Sequence, residues 1–276
     1  MKEKPMRLMI LAGILLANMC AVPALAQATY ELYLGGTQVT SDNASNVTGA
    51  WKKAGTISFD ADSRTLTLKD AVIEAEGDDN CIRNGLGKMT VQFIGNNHLA
   101  SVYGSGIYND MNGNMTITGD SVKIETSQQS SIFTSYDSNL KIVGCRIDAK
   151  GLWGITGVTG KKNENLTIEN ATVYANGKYG SISSLALFTL KNSYIASPAD
   201  AVWNADCCAL CQNTGIITGK YVVIKPGANT GVSSAANVNA ITVRQIYNST
   251  GRPSRQLRKG VNILKLSDGT ARKVIL

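Results

Sequence analysis

Short segments of alternating apolar and polar residues recur through the middle of the chain. Six segments carry an apolar–polar–apolar triplet, and successive triplets start 22 to 26 residues apart. Alternation with a period of two is typical of a β-strand that buries one face. The triplets are Leu66-Thr67-Leu68, Met89-Thr90-Val91, Met115-Thr116-Ile117, Leu140-Lys141-Ile142, Leu166-Thr167-Ile168 and Phe188-Thr189-Leu190. Such self-similarity indicates a repeat protein.

Two further strands follow each triplet. The inner positions of the second strand are Ile73/Ala75, Leu99/Ser101, Val122/Ile124, Ile147/Ala149, Val173/Ala175 and Ile195/Ser197. In the second unit, Gly95-Asn96-Asn97 forms a longer turn, so that His98 faces solvent, because burying an unpaired imidazole costs free energy. The third inner column is Ile82, Ile107, Ile132, Ile155, Ile182 and Val202. Three strands per repeat predict a right-handed, single-stranded parallel β-helix, since stacked rungs bury their inner faces and pair their edges.

The flanking segments complete an all-β chain. Residues 27–63 are predicted to form an N-terminal β cap, 64–225 the parallel β-helix and 226–240 a linker rich in small and polar residues. Residues 241–276 are predicted to form a small antiparallel unit, with strands at 241–247, 261–266 and 272–276 and a hairpin turn at 267–270.

The N-terminus has the pattern of a secretory signal peptide. Lys2, Lys4 and Arg7 precede the apolar run Leu8–Leu16, and Ala24-Leu25-Ala26 supplies a small-x-small cleavage site. Residues 1–26 are therefore predicted to be removed. The apolar run is too short for an ordinary membrane span, and no later segment qualifies.

The net charge of +7 is unevenly distributed. Residues 27–240 carry 16 basic and 18 acidic side chains, while 241–276 carry eight basic side chains and a single acidic one, Asp268. The body therefore lacks the basic surface of a nucleic-acid-binding protein. The chain has one histidine, which excludes multi-histidine metal sites.

Five cysteines follow the predicted cleavage site, three of them in Cys207-Cys208-Ala209-Leu210-Cys211. An odd number cannot all pair internally. A local disulfide or plain thiols are favoured here over zinc, because a closed zinc site needs four ligands and the sequence offers no second cluster.

The segment Tyr30-Glu31-Leu32-Tyr33-Leu34-Gly35-Gly36, with Gly55-Thr56-Ile57-Ser58-Phe59-Asp60 and Thr65-Leu66-Thr67-Leu68, resembles secreted bacterial β-helix proteins described as carbohydrate-binding. These proteins are related in fold to pectate lyases. The resemblance covers roughly residues 30–225 and implies a polysaccharide ligand.

The tail segments Ile246–Arg252, Leu257–Ile263 and Asp268–Val274 are similar to the last strands of type IX secretion C-terminal sorting domains. Only the final part of such a domain is present. The resemblance implies a protein that is secreted, exposed on the outer cell surface or periplasmic, with the secretion machinery as a further partner.

A catalytic site would lie on the outer faces, because the fold relatives include lyases. The outward position of the second strand reads Glu74, Ala100, Lys123, Asp148, Tyr174 and Ala196, so acids do not stack on adjacent rungs. A calcium-dependent lyase needs several converging carboxylates. No catalytic residue, metal or cofactor is therefore expected, although calcium remains the ion that a pectin-type lyase would use.

Sugar binding needs exposed aromatic faces and planar polar groups. Arg83, Tyr108 and Phe133 are predicted to lie outward on adjacent rungs of the third strand. Trp153, Tyr174, Tyr179 and Tyr194 are predicted to form a second strip at a corner. Three hypotheses stay open: a non-catalytic polysaccharide-binding protein, which these residues favour, a polysaccharide lyase, and a structural or adhesive surface protein.

Overall fold

The computed structural model describes residues 27–213 and 215–227 and, in the C-terminal unit, 243–248, 250–254, 256–257, 259–266 and 271–275. The predicted leader at 1–26 and most of the predicted linker lie outside the described residues. Every regular element in the described part of the chain is a β-strand, which confirms the all-β prediction.

Eleven strands build the parallel solenoid. They are β4 (Thr65–Ala75), β5 (Ile82–Asn84), β6 (Lys88–Ser101), β7 (Ile107–Asn109), β8 (Asn114–Thr126), β9 (Ser130–Thr134), β10 (Asn139–Val143), β11 (Arg146–Thr156), β12 (Asn165–Glu169), β13 (Thr172–Ser183) and β14 (Leu187–Lys191). The triplet strands stack on the first face, from β4 to β14. The second face runs from the later half of β4 to β13, and the third from β5 to β13. The predicted parallel β-helix is confirmed.

The third inner column fills the lumen as predicted for five of its six residues. Ile82, Ile107, Ile132, Ile155 and Ile182 stack in register, and each is fully buried. The assignment of Val202 was wrong. Val202 is 46% exposed, because its strand leaves the solenoid and pairs antiparallel with a C-terminal hairpin strand.

The register of the first rung differs from the prediction by two residues. Leu66 stacks on Val91 rather than on Met89, and Leu68 stacks on Phe93. The strand β4 starts directly after the turn of an antiparallel hairpin, so the residue at the level of Met89 is Arg64, which belongs to that turn and has a positive φ of 52°. The other triplets stack as aligned in the sequence.

The longer turn in the second unit brings a polar side chain into the lumen. Leu99 and Ser101 point inward, as predicted, but they stack on Ile124 and Thr126 rather than on Val122 and Ile124. Asn97 takes the position over Val122. Its Oδ1 accepts a hydrogen bond from the Ala71 amide at 2.9 Å, and its Nδ2 donates to the carbonyls of Ile94 and Ser121. These partners satisfy the buried amide.

A short ladder of buried polar side chains lines one corner. The Nδ2 of Asn84 donates to Oδ1 of Asn109 at 2.9 Å, and the Nδ2 of Asn109 donates to the Thr134 hydroxyl at 3.2 Å. The Oδ1 of Asn84 also accepts a hydrogen bond from the Leu86 amide at 3.0 Å, which fixes the turn that follows.

Antiparallel strands pair with the first rung and with the second face of the last rung. At the front, β1 (Thr29–Leu34) pairs with β2 (Thr37–Thr40) and β5, and β3 (Lys52–Asp60) pairs with β4. At the back, β19 (Val222–Pro226) lies between β13 and β15 (Ser193–Ser197). Ile195 therefore lies beside Ile224, and the predicted stacking on Val173 was wrong. The strands β16 (Val202–Asn204), β17 (Ala209–Gln212) and β18 (Gly215–Ile216) form a separate small sheet.

The C-terminal residues form a four-stranded antiparallel sheet. Its strands are β20 (Val243–Asn248), β21 (Pro253–Ser254), β22 (Val261–Leu266) and β23 (Ala271–Ile275), in the order β21-β20-β22-β23. The predicted antiparallel unit is thus present. Its predicted turn at 267–270 lies outside the described residues.

A buried carboxylate organises the loop between β11 and β12. Glu164 is fully buried and accepts hydrogen bonds from the amides of Thr159, Gly160 and Lys162 at 3.0, 3.2 and 2.8 Å. Burial alone would raise the pKa of Glu164, but these amide donors outweigh it and hold the pKa below its ordinary value.

The inner column supplies a direct test of the solenoid. We expect Ile132→Ala to lower the free energy of unfolding by about 3 kcal/mol, because it leaves a cavity in a closely packed lumen. Val202→Ala should change it by less than about 0.5 kcal/mol, since Val202 is exposed. Urea unfolding measures both. Equal losses would contradict the assigned positions.

The Glu164 loop predicts a pH dependence. A lowered folded-state pKa contributes stability that is present above the unfolded value and is lost as the pH falls through the folded value. We expect Glu164→Gln to cost about 1–3 kcal/mol at neutral pH, because a buried amide leaves donors poorly satisfied. The difference from wild type should shrink below about pH 4. Urea unfolding across pH checks this, and a constant difference would exclude the proposed role.

Candidate functional site

The residues predicted on the third face form one outward row. Tyr33 of β1, Arg83 of β5, Tyr108 of β7 and Phe133 of β9 occupy successive strands. The Tyr108 and Phe133 rings are stacked, with centroids 4.8 Å apart and planes inclined by 23°. Arg83 forms an ion pair with Asp110, with Nη2 and Oδ2 2.7 Å apart, and its guanidinium lies 5.5 Å from the Tyr33 ring centroid. The predicted placement of Arg83, Tyr108 and Phe133 on adjacent strands of the third face is confirmed.

The stacking limits what this row can bind. Tyr108 and Phe133 turn their ring faces toward each other, so those faces are not open to a pyranose. Both rings are half-buried, and burial raises the pKa of Tyr108. Arg83 is already occupied by Asp110. The row is therefore well suited to covering the third face, and less well suited to a sugar.

The second predicted strip divides into separate contacts. Trp153 packs against Tyr179, with centroids 5.3 Å apart. Tyr174 lies on the second face, where it contacts Tyr221, and the Arg146 guanidinium stands 4.4 Å from its ring centroid. Tyr194 lies on β15, opposite Lys225. The structure therefore joins only two of these four residues in a ring pair.

A groove on the second face was missed by the sequence analysis. It has a volume of about 690 Å³ and spans four rungs. Its charged and aromatic lining residues are Lys53, Glu74, Glu76, Tyr103, Glu125 and Lys150. Within it, one outward row reads Glu74, Ala100, Glu125 and Lys150 on four adjacent strands. The small Ala100 side chain leaves the middle of the groove open.

The two-residue change of register explains why this groove was missed. The predicted outward row placed Lys123 beside Ala100, whereas Ala100 lies beside Glu125. Lys123 belongs to a parallel row with His98, Asp148 and Tyr174. The signal was present in the longer turn of the second unit, which moves every later position of that strand.

Glu125 is the most strongly constrained charge in the groove. Its Oε2 lies 2.8 Å from Lys123 Nζ and 3.1 Å from His98 Nε2. The hydrogen bond from Lys123, assisted by His98, holds the pKa of Glu125 below its ordinary value. His98 thus faces outward, as predicted, and Glu125 is ionised at neutral pH.

Tyr103 stands on a rigid corner at the rim of the groove. Its side chain is 55% exposed, and the neighbouring Val102 is 49% exposed. The buried Ser101 hydroxyl accepts from the Gly104 amide at 2.9 Å and donates to the Asp79 carbonyl at 3.2 Å. A Cβ at Gly104 would collide with that same carbonyl, so the tight corner requires glycine. The corner therefore presents Tyr103 with little backbone freedom.

In residues 27–227, apart from position 214, and in the described part of the C-terminal unit, no group of three His, Cys, Asp or Glu side chains could hold a metal ion. In the same residues, no helix is long and apolar enough to cross a membrane.

The chain was compared with protein-family models, curated proteins and solved structures. None of the three comparisons found a match.

Replacing single tyrosines separates the two aromatic regions. We expect Tyr108→Ala to lower the free energy of unfolding by about 2 kcal/mol, because it removes a half-buried ring from a stacked pair. Tyr103→Ala should cost less than about 0.5 kcal/mol, because its ring is mostly in solvent. Urea unfolding measures both variants. A large loss for Tyr103→Ala would mean that this ring supports the fold.

Proposed function

We propose that this protein is a secreted or cell-surface polysaccharide-binding protein that holds a linear glycan in the groove on its second face. One observation carries the proposal. The groove crosses four successive rungs and presents an exposed aromatic ring together with carboxylates and ammonium groups. A binding site with this lining suits an extended, hydroxyl-rich chain laid across the strands.

The chemistry of the lining supports a sugar over an apolar ligand. The Tyr103 ring offers a face for the apolar side of a pyranose. Glu74, Glu76 and Lys150 are exposed and can exchange hydrogen bonds with hydroxyl groups. Lys53 Nζ donates to the Ala50 carbonyl at 2.8 Å, which holds its ammonium at the groove wall.

The cellular location belongs to the same proposal. The signal-peptide pattern at 1–26 supports export, and the similarity of the tail to sorting domains supports exposure on the surface of a Gram-negative cell. The solenoid would then present the groove to extracellular polysaccharide.

Cleavage of the bound chain is a second candidate, favoured by two carboxylates that line the groove on alternate strands. Glu74 and Glu125 lie two strands apart, so their Cα atoms are separated by about 10 Å. Inverting glycosidases place their two carboxyl groups about 6.5–9.5 Å apart. Glu125, whose pKa the Lys123 hydrogen bond holds below its ordinary value, would be the base of such a pair.

The proposal is tested on a glycan array with the full chain and two variants. We expect Tyr103→Ala to weaken binding about fivefold, because stacking on an aromatic ring contributes on the order of 1 kcal/mol. Tyr179→Ala is the matched control, since Tyr179 is 51% exposed but lies outside the groove. The control should bind as wild type does.

Absence of binding to every glycan, or an equal loss of binding in both variants, would overturn the proposed function.

Cleavage is tested separately, by incubating the glycan that binds best with wild type and with Glu125→Gln. New reducing ends that depend on Glu125 would establish hydrolysis, and an unsaturated uronate absorbance would establish a lyase. An unchanged ligand would confirm binding without chemistry.

A further inference from the structure

The charged side chains of the groove follow one another in a definite order along the solenoid axis. Lys53 stands on β3, Glu74 on the neighbouring strand β4, Glu125 on β8 and Lys150 on β11. Between the two carboxylates, β6 contributes Ala100, whose side chain carries no charge. The groove therefore presents carboxylates toward its middle and an ammonium group toward each end.

The charges in and beside the groove balance, because three ammonium groups meet three carboxylates. Lys123 lies beside the groove, with its Nζ 2.8 Å from Glu125 Oε2. The charged groups that line the groove itself are Lys53, Glu74, Glu76, Glu125 and Lys150. A surface of this kind has no single sign of charge with which to attract a polyanion or a polycation from a distance.

Glu125 keeps one of its oxygens for a ligand. Lys123 Nζ and His98 Nε2 both approach Oε2, at 2.8 and 3.1 Å. Oε1 can therefore accept a hydrogen bond from a glycan hydroxyl. Hydrogen bonds to an ionised group are stronger than those between two neutral groups, so a charged lining can hold an uncharged, hydroxyl-rich chain.

The middle of the groove suits an uncharged ring. Ala100 leaves space on β6, and Tyr103, which is 55% exposed, follows the end of that strand by two residues. A pyranose in this space can stack on the Tyr103 ring, while Glu74 and Glu125 stand one strand away on either side.

We infer that the groove selects uncharged glycans over glycans that carry a charge on every sugar. The inference rests on the proposed function and adds the chemical class of the ligand. A polyuronate would bring carboxylates beside Glu74 and Glu125, and a polymer of amino sugars would bring ammonium groups beside Lys53 and Lys150. Since both signs of charge lie within the groove, a chain of one sign meets repulsion in either case, whereas a neutral chain does not.

The first test takes the glycan that binds the full chain best on the array and measures its Kd at about 50 and about 500 mM sodium chloride. We expect this glycan to carry no charge and its Kd to change by less than about twofold, because salt screens interactions between charges. A charged best ligand, or a Kd that rises further with salt, would overturn the inference and leave the proposed function standing. Absence of binding to every glycan would overturn the proposed function itself.

The second test places the discrimination in the groove, using polygalacturonate and its methyl ester, which share a backbone and differ in charge. Glu74→Lys replaces a central carboxylate by an ammonium group. We expect this variant to bind polygalacturonate at least about fivefold more tightly than wild type does, with no such gain for the methyl ester, because one repulsive pair becomes attractive.

Asp206→Lys is the matched control, because it makes the same change of charge in the turn between β16 and β17, outside the groove. Asp206 and Glu74 are both exposed, so neither substitution disturbs the core, and urea unfolding checks this. The control should bind polygalacturonate as wild type does. An equal gain in the control would assign the effect to net charge, and no gain in Glu74→Lys would mean that Glu74 does not repel the polymer; either result contradicts the inference.

Discussion

The structure depends on one constraint: each rung exposes two strand edges and an apolar inner face, and only the next rung can satisfy both. Backbone hydrogen bonds between rungs and the stacked isoleucines Ile82, Ile107, Ile132, Ile155 and Ile182 therefore act together. The same constraint explains the ends. Antiparallel strands cover the first rung and the second face of the last rung, because an unpaired edge invites association with other chains.

Much of this architecture can be predicted from the sequence, because period-two alternation and repeat length indicate which residues are buried. The third-face positions of Arg83, Tyr108 and Phe133 follow from that alternation. The errors arose where backbone geometry, rather than side-chain polarity, sets the register. The hairpin before β4 places the turn residue Arg64 at the level of Met89, and the bulge around Asn97 displaced the second face by two residues. Alternation cannot reveal a shift by two, since it preserves which side faces inward.

The lumen also contains polar side chains, and its asparagines are buried together with hydrogen-bonding partners. Asn97, Asn84 and Asn109 are buried only where their amides meet backbone groups or each other. Glu164 follows the same rule in a loop, with amide donors around both carboxylate oxygens. Each of these side chains supplies hydrogen bonds at a bend, where regular pairing between strands is interrupted. Sequence patterns alone treat such residues as exposed, because their partners are distant along the chain.

The row Glu74, Ala100, Glu125 and Lys150 also restricts how this surface can change. Each member sits one strand further along the axis, so the separation between any two of them is a whole multiple of about 4.8 Å. A substitution can change the chemical group at one strand of this row, but it cannot change the spacing between the strands. A longer or shorter ligand would therefore require the gain or loss of a whole rung.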